Sequence, residues 1–335
     1  MPPTITVLGT GGTIASTEGE AGATPTLSAE ELLDAVPEIR EHAKLTTEQV
    51  AQVPSFEMDF ETLADVRRAV RDAAGAADGI VVTHGTDTME ESAYYLDLTL
   101  DVDAPVVFTG AQRPADELSS DGPANLLTAV RAATDERVRD AGGVYVAFDE
   151  ELHAARGVTK AHTRKLAGFA SPESGPVASF TREDVRFHRE PGSRSGSIPV
   201  DRGNAEGGRE EADAEPTVEM VKSAVGVDGG GIQRAVERGA DGVVLEATGA
   251  GNATGPIGDA VAAAIDEGVP VVVTSRSYEG PVAPIYGTPG GGQTIRDHGA
   301  IFAGDLPAHK ARLKLRLALG ETTDVEELRA HFEDD

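Results

Sequence analysis

Three apolar runs in the first half of the chain break off into turns built from glycine, threonine and polar residues. ITVL (5–8) runs into GTGGT, GIVVT (79–83) into HGTDT, and VVF (106–108) into TGAQRP. Helical stretches stand between and after them, including LADVRRAVRDAA (63–74) and GPANLLTAVRAA (122–133). Short β-branched runs without polar alternation suit strands covered on both faces, and intervening helices supply the covers. This rhythm restricts the chain to an α/β architecture with a mostly parallel sheet. Ligands bind such sheets beyond the carboxyl ends of the strands, the edge where all three turns fall.

The first turn, Gly9-Thr10-Gly11-Gly12-Thr13, has two readings. A dinucleotide fingerprint needs a third glycine where Ile14 stands, and an acid at the end of the next strand. Glu30 and Glu31 lie at about the right distance, but SAEELLDAV reads as a helix start, with Ser28 as N-cap and Glu31 as its capping-box partner. No Gly-Lys-Ser/Thr follows, so a P-loop fails as well. The glycines by themselves specify a tight turn and close backbone approach. The other reading is a turn that presents a hydroxyl.

At 335 residues the chain exceeds what one core usually supports, so two domains are expected. Boundaries are set at 1–190 and 219–335. Between them residues 191–218 (including PGSRSGSIPVDRGNAEGGREEADAEPT) form a linker rich in Gly, Ser, Pro and acid. A second strand–helix series follows, with DGVVLEATGAGN and VPVVVTSRSYEG again running strand into turn. The absence of cysteine excludes disulfides and thiolate chemistry. No basic, apolar leader opens the chain and no apolar stretch approaches the roughly 18 residues of a membrane span, so a cytoplasmic protein is expected. With 57 acidic against 29 basic residues, the net charge of −28 disfavours nucleic-acid and anionic-membrane partners. The excess runs along the whole chain, which points to a cytoplasm of multimolar salt, where screening shortens the Debye length to about 3 Å or less. Only DVEELRAHFEDD resembles an acidic tail, and it also suits a helix end.

Thr13 after paired glycines is either a turn cap or a nucleophile. In HGTDTMEES (84–92), His84, Thr86, Asp87, Thr88, Glu90 and Glu91 crowd the next strand end, where a helix begins near Thr88. A polar helix cap explains them; so does chemistry. His84 and Asp87 alone make a poor metal site, and His153 and His162 have no zinc-site spacing. Lys160, in ARGVTKAHTRKL, follows a short strand. It is a structural ion-pair partner or, beside an acid and a hydroxyl, a group that moves a proton. A Thr/Lys/Asp set at strand ends suits acyl transfer to water.

TGGTIAS with Thr13 and HGTDTMEE with Thr86 and Asp87 closely resemble the two signature segments of bacterial-type L-asparaginases. The resemblance continues through TGAQRP (109–114), SSDGPANL (119–126), GVTKAH (157–162), TGAGN (248–252) and TSR (274–276), in order along nearly the whole chain. It implies a larger flavodoxin-like N-terminal domain with a parallel sheet, plus a smaller α/β C-terminal domain. It implies hydrolysis of L-asparagine to L-aspartate and ammonia without a cofactor or metal, with weaker glutaminase activity allowed. Thr13 matches the threonine that forms the acyl-enzyme. Thr86 and Lys160 match a second threonine and its lysine, which move protons with the neighbouring acid. Asp87 matches the grip on the substrate α-amino group, Ser55 the holder of the α-carboxylate, and Asn252 an asparagine that reaches an active site, often the partner subunit's. The only partners implied are a small amide substrate and further copies of the chain, as a homodimer or homotetramer with sites near the subunit interface.

Two positions depart from the family pattern. EGEAGATPTL (18–27), in the loop expected after the first threonine, lacks the tyrosine that many members carry there, leaving Thr24 or a water to replace it, or the loop to close differently. Phe56 stands where many have a polar side chain; either Glu57 compensates as a substrate contact or Phe56 faces the core. Two other functions fit the same residues. One is the ammonia-supplying, asparaginase-like subunit of a tRNA-dependent amidotransferase, which usually has an additional N-terminal domain; the first strand here starts at residue 4. The other is a non-enzymatic amino-acid or nucleotide binding module.

Overall fold

The computed structural model describes residues 2–19, 22–192, 195–200 and 215–333. The chain divides into two compact units, Met1–Ser195 and Gly196–Asp335, each an α/β domain. Of the linker expected over 191–218, residues 193, 194 and 201–214 lie outside the described residues.

The first unit contains β1 (Thr4–Gly11), β2 (Ser16–Gly19), β3 (Gly22–Pro25), α1 (Ala29–Asp34), β4 (Lys44–Val53), α2 (Phe60–Ala74), β5 (Gly79–Thr83) and α3 (Met89–Thr99). It continues with β6 (Val106–Thr109), α4 (Gly122–Thr134), α5 (Glu136–Ala141), β7 (Val144–Phe148) and β8 (Glu151–Ala154). The last strands are β9 (Thr159–Lys160), β10 (Phe169–Ala170), β11 (Ala178–Phe180) and β12 (Val185–Phe187). The main sheet has the order β12-β11-β8-β7-β6-β5-β1-β4. Strands β4, β1, β5, β6 and β7 are parallel, and every residue of β5, β6 and β7 is buried, as their unbroken apolar sequences require. Ile5 and Val7 of β1, Val81 of β5 and Val107 of β6 pack with Leu126 and Val130 of α4 in one core. The sheet is less uniform than expected: β8, β11 and β12 extend it antiparallel. The β7–β8 hairpin that starts this extension turns on Asp149 and Glu150, both at positive φ (49° and 64°), which suits a tight two-residue hairpin turn.

Local signals set the helix starts. Ser28 and Glu31 form a complete capping box at α1. The Asp59 carboxylate accepts the Thr62 N–H at 2.8 Å to open α2, whose Leu63, Val66 and Val70 line its buried face. Strand β1 runs to Gly11, three residues past Leu8, where the apolar run ends. Pairing overrides the poor strand propensity of glycine here, because Gly9 pairs with Thr83 of β5 and Gly11 with Val53 of β4. The β1–β4 register shifts between Gly9 and Gly11, a bulge at the end of a central strand. The segment after it, expected as a loop, holds the antiparallel pair β2–β3, in which Thr17 pairs with Thr24.

The second unit has four parallel strands in sequence order, β13 (Val218–Lys222), β14 (Gly242–Ala247), β15 (Val271–Ser275) and β16 (Ile301–Phe302). Its helices are α6 (Gly230–Glu237), α7 (Gly255–Asp266), α8 (Gly292–Asp297), α9 (Ala308–Glu321) and α10 (Val325–Glu333). Within the acidic end of the chain, Val325–Glu333 form the helix α10, with Leu328 and Phe332 buried.

Candidate active site

The parallel strands of the first unit stand in the spatial order β4-β1-β5-β6-β7. In chain order that is second, first, third, fourth, fifth. The direction of progress reverses at β1, so β1 and β5 flank the topological switch point, where connections leave to opposite sides and open a crevice at the carboxyl ends. The two threonine-bearing turns end these two strands.

Glycine lets the turns touch. Gly12 has φ +80°, and a Cβ placed on it would lie 2.2 Å from the Gly85 nitrogen and 2.3 Å from the Gly85 Cα. A Cβ on Gly85 would in turn lie 2.6 Å from Ser55 Oγ. Two backbone turns and the Ser55 side chain therefore converge at distances that a Cβ on either glycine would not permit. Thr13 is the next residue, half-buried at the start of a 3₁₀ turn (Thr13–Ala15). The Ser16 hydroxyl fixes that turn by donating to the Gly12 carbonyl at 2.9 Å.

His84 holds the second turn from below. It is fully buried, and its Nδ1 lies 2.7 Å from the Gly85 carbonyl, which can only accept, so Nδ1 carries the proton. Nε2 then accepts from the Ser92 hydroxyl at 2.9 Å. Burial lowers the His84 pKa to about 4, so the ring is neutral and serves as a brace. Above it, the Asp87 N–H donates to Ser55 Oγ at 3.1 Å, and the Thr88 hydroxyl donates to the Ser55 carbonyl at 2.6 Å. Ser55 is buried, and its Oγ accepts from the turn while its own O–H stays available to donate.

Lys160 closes the group. Its Nζ donates to Thr86 Oγ1 at 2.8 Å and lies 2.5 Å from Asp87 Oδ1. Thr86 is buried, the lysine side chain is 13% exposed and the Asp87 side chain 57% exposed, so the trio runs from the protein interior to solvent. Water reaches the ion pair through Asp87, while Thr86 lies on its buried side.

The structure joins Ser55, Thr86, Asp87 and Lys160 by direct hydrogen bonds and sets the Thr13 turn against them through Gly12 and Gly85. Glu57 is exposed on the short 3₁₀ turn Ser55–Glu57. Phe56 is 69% exposed, so of its two alternatives the core-facing one fails: the turn leaves Ser55 as its buried residue and points the aromatic ring outward. Thr24 is exposed on β3. Asn252 belongs to the second unit, in the turn after β14, where its Oδ1 accepts the Gly292 N–H at 2.9 Å. Two supports escaped the sequence reading. Asn125 donates to the Gly110 carbonyl at 2.9 Å and accepts the Asp149 N–H at 3.0 Å, tying the turn after β6 to the β7–β8 hairpin. Glu90 accepts the backbone N–H of Lys160 at 3.0 Å. The acid-rich start of α3 was the available signal for Glu90; nothing short of the fold reveals its partner.

Two family models cover most of the chain: "Asparaginase, N-terminal" over residues 4–193 and "Glutaminase/Asparaginase C-terminal domain" over residues 217–332. A protein named as a probable periplasmic L-asparaginase of Haemophilus influenzae is 35% identical, over 99% of this chain and 93% of its own length. L-asparaginase 2 of Escherichia coli is 33% identical over 98% of this chain and 92% of its own. A crystal structure of a probable cytoplasmic L-asparaginase from Campylobacter jejuni superposes with a TM-score of 0.85 at 33% identity, covering 98% of this chain and 99% of that one. The switch-point threonines therefore sit in a scaffold shared along its whole length, and the chain belongs to the asparaginase family.

Proposed function

We propose that the chain hydrolyses L-asparagine to L-aspartate and ammonia, with Thr13 as nucleophile. The observation that carries this reading is the Lys160–Thr86–Asp87 hydrogen-bonded group at the switch point, in a turn locked backbone-to-backbone against the one bearing Thr13. Thr13 Oγ attacks the side-chain amide carbon, and its proton passes through Thr86 and Lys160 toward the departing nitrogen. Ammonia leaves, an aspartyl ester remains on Thr13, and water hydrolyses it to regenerate the hydroxyl. Asp87, whose carboxylate is half-exposed, takes the substrate α-ammonium. Ser55 donates its free O–H to the α-carboxylate, Glu57 is assigned to the substrate's outer contacts, and Asn252 to substrate binding at an active site completed across the subunit interface. One methylene separates asparagine from glutamine, worth about 1–3 kcal/mol in a pocket, so a weaker glutaminase activity accompanies the first.

The N-terminal sheet is read as flavodoxin-like on the strength of its second-first-third-fourth-fifth parallel order. Residues 191–218 are assigned as the link between the domains. A closed homodimer, or a homotetramer of two such dimers, is proposed as the working form. The relatives' names divide between periplasm and cytoplasm; the cytoplasmic assignment follows the Campylobacter jejuni protein. Ammonia release from L-asparagine by the purified protein tests the activity, with L-glutamine and peptide amides as comparison substrates. Turnover of L-asparagine above the others supports the reading, and no release from any amide refutes it.

A further inference from the structure

Glu90 is a buried carboxylate, 6% exposed, in the first turn of α3, and none of the roles above uses it. Its Oε1 accepts the Lys160 N–H at 3.0 Å across 70 residues of sequence. Lys160 needs such a hold. It sits on β9, a strand of two residues whose ladder is the equally short β10, pairing Lys160 with Phe169 and Thr159 with Ala170. So short a ribbon orders a long side chain poorly without other packing. Yet the lysine must keep Nζ within hydrogen-bond reach of both Thr86 Oγ1 and Asp87 Oδ1.

The helix start resolves this. Thr86 and Asp87 lie just before Thr88, the N-cap of α3, and Glu90 just after it. One rigid element thus presents both acceptors for the lysine's Nζ and the acceptor for its backbone. A carboxylate suits the place, because the first turn of a helix favours negative charge and an ionised acceptor makes the stronger bond. We infer that Glu90 is a positioning residue for amide hydrolysis: it clamps the Lys160 backbone to the start of α3 and so holds Nζ on Thr86. The inference rests on the proposed role of Lys160.

The test is steady-state L-asparagine hydrolysis by Glu90→Ala, Glu90→Gln, Lys160→Met and the double variant Glu90→Ala/Lys160→Met, with thermal unfolding alongside. Misplacement of a reacting group by about 1 Å costs on the order of a hundredfold in rate. Glu90→Ala should therefore lower kcat by about tenfold to a hundredfold with KM within about twofold. Glu90→Gln keeps an acceptor oxygen in place and should restore most of kcat. The double variant should be no slower than Lys160→Met alone, because the clamp has nothing left to position. If Glu90→Ala does not fold, Glu90→Asp replaces it: the acceptor retracts by one methylene and kcat should fall while Glu90→Gln stays active. Folded Glu90→Ala or Glu90→Asp with wild-type kcat overturns the clamp, as does a double variant in which the two losses multiply. Wild-type kcat in Lys160→Met overturns the proposed proton path itself, a result distinct from a failure of Glu90 alone.

Discussion

Lys160 Nζ donates a 2.8 Å hydrogen bond to Thr86 Oγ1 across 74 residues of sequence, with the same ammonium 2.5 Å from Asp87 Oδ1. The bond joins a hairpin ladder of two-residue strands to the end of a central strand. Positioned proton transfer contributes about 10²–10⁴-fold to rate. Lys160→Met should lower kcat within that range and change KM little. Lys160→Arg should not rescue it, because a guanidinium does not give up its proton and its planar fork does not fit a point contact. Steady-state kinetics of the two variants check this, and an active Lys160→Arg enzyme would show that charge alone suffices.

The Gly12–Gly85 apposition predicts a steep steric cost. Gly12→Ala would set a Cβ 2.2 Å from backbone nitrogen while Gly12 holds φ +80°, so crowding and conformational strain act together. Each contributes about 1–3 kcal/mol. Denaturant unfolding should show a loss of at least about 2 kcal/mol, with activity falling further because the Thr13 turn is displaced. Gly22, also at positive φ (108°) but with nothing within 4 Å of an added Cβ, is the control. Gly22→Ala should cost only the strain and leave kcat nearly intact.

His84 gives stability a pH signature. Burial lowers its folded pKa from 6.5 to about 4, so the unfolded chain binds the proton more readily. The stabilisation is complete above about pH 6.5 and is lost as pH falls toward 4, a difference of about 3 kcal/mol. Unfolding free energies measured from pH 7 to pH 4 should fall more steeply for the wild type than for His84→Gln. Parallel curves would contradict a neutral, buried His84.

Charge sets the last stability prediction. With a net charge of −28, repulsion between like charges weakens the compact state in dilute buffer. Stability and activity should rise toward multimolar KCl, as followed by equilibrium unfolding and ammonia release across that range. A stability maximum in dilute buffer would remove the argument for a high-salt cytoplasm.

How much of this was legible depended on how local each cause is. The capping box of Ser28 and Glu31 spans four residues and was read directly. The turns that carry Thr13 and Thr86 announced themselves as glycine-rich strand ends. What brings them together is not local: Gly12 meets Gly85 because β1 and β5 are neighbours in a sheet whose order one sequence does not print. The antiparallel strands β8, β11 and β12 are only three or four residues each, too short for a periodic signal. Whether Phe56 faces the core stayed open in the sequence, because hydrophobicity alone does not say which way a one-turn 3₁₀ segment points. Glu90 looked like one of several helix-start acids, and only the arrival of β9 beside α3 distinguishes it.

The central claim is that Thr13 forms the covalent bond. The most direct measurement is mass spectrometry of the protein trapped during turnover of a slow amide substrate or with a reactive asparagine analogue, on wild type, Thr13→Ala and Thr86→Val. The account predicts an aspartyl-mass adduct on the peptide containing Thr13 in the wild type. It predicts no adduct and almost no turnover in Thr13→Ala, and slowed adduct formation at the same residue in Thr86→Val. An adduct on Thr86 with none on Thr13, or wild-type kcat in Thr13→Ala, would contradict it.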